Sequence, residues 1–81
     1  MASVLYVQLE SEFEDLSERY NSLLQEFRKT GDDEVFIDLD ADLLILRDRA
    51  ANLDNIEERY EVVKNINTLR SLISSLTHSA F

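Results

Sequence analysis

The residues with the strongest claim to chemistry are an acidic run at 38–42, one histidine, a serine cluster and a band of carboxylates between 10 and 18. Asp38-Leu39-Asp40-Ala41-Asp42 has the D-x-D-x-D opening of a calcium-binding loop. Such a loop needs glycine at its sixth position for the sharp turn and a bidentate glutamate at its twelfth. Those positions hold Leu43 and Arg49, so no metal site is assigned, and the acids are expected to cap the start of a helix. His78 has Ser74 and Ser75 as its near helical neighbours, and the chain has no cysteine, so neither a metal set nor a catalytic dyad forms around it. Ser71, Ser74, Ser75 and Ser79 lack a base, an orienting group and an oxyanion hole. The sequence therefore assigns no catalytic residue, no cofactor and no metal, and the expectation is a protein that is not an enzyme.

The carboxylates Glu10, Glu12, Glu14, Asp15 and Glu18 crowd one stretch. Glu10, Glu14 and Glu18 are four apart, which on a helix costs ~0.2–0.5 kcal/mol per pair, and only Asp15–Arg19 offsets this locally. A solvated face explains such a band. So does an acidic docking face made of Glu10, Glu14, Asp15 and Glu18, which would steer a basic partner.

Composition narrows the remaining classes. The 81 residues allow one domain, 1–81, with no disulfide to staple it. Proline is absent and Gly31 is the only glycine, which points to long helices with few turns. There are 8 basic and 17 acidic residues, a formal charge of −9. That sign argues against nucleic acid and against anionic membranes. Residues 1–45 hold 12 acids and 3 bases, whereas 46–81 hold 5 of each, so the acidity belongs to the first half. No apolar run approaches the ~20 residues that span a bilayer. The first seven residues have neither a basic n-region nor a long apolar stretch, and a cytoplasmic or nuclear location is expected.

Three helical segments emerge from periodicity. In the first, about 3–29, Ala2, Tyr6, Leu9, Phe13, Leu16, Tyr20, Leu23 and Phe27 follow alternating steps of four and three, a heptad seam. Ser3 is the expected N-cap, and Arg28, Lys29 and Gly31 close the helix. The second, about 33–53, carries Phe36, Leu39, Leu43, Leu46, Ala50 and Leu53, with Asp33, Asp38 or Asp40 as its cap. Alternation from Val35 to Leu43 would also suit a strand, but a lone strand would have no partner. The third, about 55–79, presents Ile56, Tyr60, Val63, Ile66, Leu69, Ile73 and Leu76, with Asp54 and Glu57 resembling an acidic capping box. Its phase slips against the second segment near 52–55, so the fold is all-α, either an antiparallel helical hairpin or a three-helix bundle with coiled-coil seams. Tyr6, Tyr20 and Tyr60 fall on the seams, with hydroxyls reaching water.

Leu43-Leu44-Ile45-Leu46 is apolar all round, and a helix of that kind must be enclosed. Val4, Leu5, Val7, Leu24, Val62 and Leu72 add apolar surface off the main stripes. The expected partner interface comprises Leu9, Phe13, Leu16, Tyr20, Leu43, Leu44, Ile45, Leu46, Leu69, Ile73 and Leu76, used by a homo-oligomer or a hetero-complex with a protein partner. The expected function is a helical interaction module, an assembly subunit of a coiled-coil complex or dimer. Two alternatives stand beside it: a small acidic chaperone holding a helical client, and an acidic inhibitor or nucleic-acid mimic docking on a basic surface. In size, charge and helicity the chain broadly resembles type III secretion chaperones and needle-subunit escorts, with no motif that matches them residue by residue.

Overall fold

The computed structural model describes residues 3–78, the His78 side chain excepted; Ala2, Ser79 and the His78 imidazole, all singled out above, lie outside the described residues. Helix α1 is Val4–Thr30. The Ser3 hydroxyl accepts from the Tyr6 amide at 3.1 Å, as an N-cap should. Gly31 ends the helix at φ +70°, its N–H donating to the Phe27 carbonyl at 2.7 Å. A 3-10 turn, Asp33–Phe36, follows and runs directly into α2, Ile37–Ala50. The cap here is Asp32, whose carboxylate accepts from the Glu34 amide, and α2 has no side-chain cap of its own, so none of the three expected aspartates fills that role. Residues 51–55 break the rod before α3, Ile56–His78. Asn55, not Asp54, caps α3: its Oδ1 accepts from the amides of Glu57 and Glu58 at 2.9 and 3.1 Å. It stands immediately before the first helical residue, where an oxygen meets two free N–H groups.

The three helices pack on one another with no strand among the described residues, an all-α three-helix bundle of 43 × 19 × 15 Å. Short connections make each helix antiparallel to the next, which leaves α1 parallel to α3, and Ser3 accordingly meets Glu58. No described helix is long and apolar enough to cross a membrane.

The core is Leu9 from α1, Phe36 from the 3-10 turn, Leu39, Leu43, Leu46 and Ala50 from α2, Leu53 from the break, and Val62, Ile66, Leu69 and Ile73 from α3. Two expectations are corrected. Ile56 and Tyr60 stand 71% and 66% exposed, while Val62, placed off the stripe by sequence, is buried. The break at 51–55 resets the phase, and Val62, Ile66, Leu69, Ile73 and Leu76 follow the steps that face the core. The second correction concerns α2. It lies between α1 and α3, so Leu43 and Leu46 are buried, Leu44 is half-buried, and only Ile45, at 59%, remains open.

Helix α1 is treated differently. It has 27 residues against 14 in α2, about 40 Å against about 21 Å by helical rise. Its one fully enclosed side chain is Leu9; Tyr6, Phe13, Leu16, Tyr20, Leu23 and Phe27 pack on the core only in part.

Candidate interaction surface

Three seams run down the bundle, and they differ in chemistry. Across α1 and α2, Arg19 meets Asp42 at 2.6 Å, and Arg49 Nη1 faces both oxygens of Glu12 at 2.6 and 2.7 Å. Glu12 keeps the Arg49 guanidinium firmly charged, raising its pKa. Across α2 and α3, Arg70 Nε donates to Asp40 at 2.9 Å, and Arg47 reaches Asn67 at 3.4 Å. These pairs stay substantially exposed, so each contributes ~1 kcal/mol or less, but they close both seams with complementary charge.

The α1/α3 seam has no such pair among the described residues. Its polar contacts at the N-terminal end run from Ser3 N and Oγ to the Glu58 carboxylate at 3.3 and 3.4 Å. The Tyr6 phenol has its pKa raised by partial burial, then by the carboxylates of Glu10, Glu61 and Glu58. Deeper in the seam, Leu9, Glu10, Phe13, Val62 and Asn65 line a narrow cleft of about 60 Å³. Ser3 opposite Glu58 and Glu10 opposite Asn65 fix a register between parallel helices. One heptad further, that register sets Ser17 opposite Leu72. Ser17 is small and half-buried, whereas Leu72 is 49% exposed. Leu24 continues the α1 edge one heptad on and is also half-buried. Helices α1 and α3 touch each other less extensively than either touches α2, and, as between any two packed helices, a shallow groove runs between them on the side away from α2.

The expected interface residues divide accordingly. Leu9, Leu43, Leu46, Leu69 and Ile73 are buried in the chain's own core and are unavailable to a partner in this fold. Phe13, Leu16, Tyr20, Leu44 and Leu76 are half-buried. Tyr20 and Phe27 each pack on the Phe36 ring, at 6.0 and 5.5 Å between centroids. Ile45 is exposed, but it stands on the α1/α2 side, beside Glu12, Leu16 and Arg19. The four acids Glu10, Glu14, Asp15 and Glu18 are all exposed on α1. Asp15 turns toward the α2 clefts, and Glu10 lines the α3 side.

Leu72, Ser17, Glu58 and Glu61 were not singled out as a site by sequence. The signal was present in the seven-residue spacing of Ser3, Glu10, Ser17 and Leu24, and of Glu58, Asn65 and Leu72, but those two edges meet only if α1 and α3 are parallel neighbours. A larger cleft of about 590 Å³ lies along α3 beside Arg59, Tyr60, Val63 and Lys64. One helix alone lines it, so it has no second wall. Among the described residues no group of three His, Cys, Asp or Glu side chains is placed to hold a metal ion. Compared with protein-family models, curated proteins and solved structures, the chain matches none.

Proposed function

We propose that this chain is a non-catalytic interaction module that binds another polypeptide through its helices, on the groove between α1 and α3. The supporting observation is the half-buried Phe13 and Leu24 on the α3 side of α1, with exposed Leu72 on the facing edge of α3. Scattered exposed apolar side chains need no explanation, but a continuous edge beside an open seam does. Laying an apolar helix there removes further side-chain area from water at ~25 cal/mol per Å². The groove is walled by two parallel helices, the geometry into which one more helix packs at 8–10 Å.

Retention of a partner by the tagged full-length chain in high salt tests this reading, because apolar contacts survive screening. Leu72→Asp should abolish retention, while Ile45→Asp, at least as exposed on another face, should leave it unchanged. Equal retention by the Leu72→Asp variant, or equal loss with Ile45→Asp, would contradict the assignment of this groove.

A further inference from the structure

The chemistry of the α1/α3 groove says what kind of helix it takes. Both other seams are closed by arginines set against carboxylates, which commits Arg19, Arg49 and Arg70 to internal pairs. The third seam carries carboxylates on both helices: Glu10 of α1, which lines the cleft with Asn65, Glu58 of α3, which accepts from Ser3, and Glu61 one turn on from Glu58. No cation of the described residues answers them across the seam. Like charges gathered around a partly apolar groove destabilise the free protein, and a cationic occupant removes that cost. The formal charge of −9 extends the same attraction to long range.

We infer that the α1/α3 groove takes a cationic amphipathic helix of a partner protein, its apolar side against Phe13, Leu24 and Leu72 and its lysines or arginines against Glu10, Glu58 and Glu61. This deepens the interaction reading above and rests on it. A second copy of this chain is the poorer occupant. Pairing of like grooves would set the same carboxylates against one another, with Arg19, Arg49 and Arg70 already committed to pairs inside the bundle.

Two synthetic amphipathic peptides with the same leucine face, one flanked by Lys and Arg and the other by Glu, test the inference by fluorescence anisotropy with the full-length chain. The cationic peptide should bind and the acidic one should not. The pair of substitutions Glu58→Gln and Glu61→Gln should weaken the cationic peptide on the order of tenfold, as should Leu72→Ala. Removing the same number of charges elsewhere, with Glu34→Gln and Asp48→Asn, should change affinity by less than about twofold. Glutamine keeps an oxygen that can accept from Ser3, and the melting temperature of the Glu58/Glu61 variant, read alongside, separates weaker binding from unfolding. An equal effect from the remote pair would overturn the inference, because the general field and not the groove would then be responsible. Tight binding of the acidic peptide, lost with Leu72→Ala, would overturn the cationic partner while leaving the interaction module standing. Binding of neither peptide also overturns the cationic partner, and the Leu72→Asp retention experiment then decides the module separately.

Discussion

Asp40 and Asp42 stand two residues apart on α2 and reach opposite neighbours, Asp40 to Arg70 on α3 and Asp42 to Arg19 on α1. Residues at that spacing lie about 200° apart round a helix, so one acidic run clasps both flanking helices. The sequence showed that the run does not complete a calcium loop; it could not show the clasp, because the arginines come from helices whose relative placement is a tertiary matter. Each pair is exposed, and a double-mutant cycle on Asp40→Asn with Arg70→Gln should give a coupling of ~1 kcal/mol or less. Burial weighs far more. Leu43→Ala should cost about 2–5 kcal/mol in urea unfolding. Ile45→Ala should stay within about 0.5 kcal/mol, since surface substitutions outside special features do. Tyr6 should ionise above the free phenol's 10.0. The fold favours its neutral form, so that contribution is whole below pH 10.0 and declines as pH rises above it. Ultraviolet titration should show the Tyr6 transition moving back toward the free value in a Glu10→Gln variant.

At the scale of elements, helices and stops were legible where the local chain alone decides them. Ser3 caps α1 and Gly31 ends it in the left-handed region because each acts on backbone within four residues. Space around Gly31 is open, so Gly31→Ala should destabilise through its backbone alone, by about 1 kcal/mol in thermal unfolding. The phase of α3 was not legible from local periodicity, because Ile56–Tyr60–Val63 and Val62–Ile66–Leu69 are both apolar stripes. Docking against α2 chose the second. The cap of α3 was missed by one residue for a related reason: Asp54 and Asn55 are both good caps, and where the break ends decides between them. Asn55→Ala should therefore cost about 1 kcal/mol by the same measurement. Asp54→Ala should fall within about 0.5 kcal/mol.

For the whole molecule, the expectation that α2 carries more apolar surface than its chain can shield is mostly answered from within: α2 is the middle helix, and its large apolar side chains are covered except for Ile37, Ile45 and part of Leu44. The surplus moves outward to α1 and Leu72. The same arrangement separates the charges, with arginines on the two seams flanking α2 and carboxylates on the third. Because matching grooves repel, sedimentation velocity on the free chain should find a monomer, and a dimer lost with Leu72→Asp would contradict the charge argument. The proposed interaction lays a partner helix in the α1/α3 groove. Hydrogen–deuterium exchange of the full-length chain with and without the cationic peptide tests it most directly. Slower exchange within 4–30 and 56–78, with 37–50 unchanged, is the predicted result. Slowing confined to 37–50, or none anywhere while the peptide is bound, would contradict it.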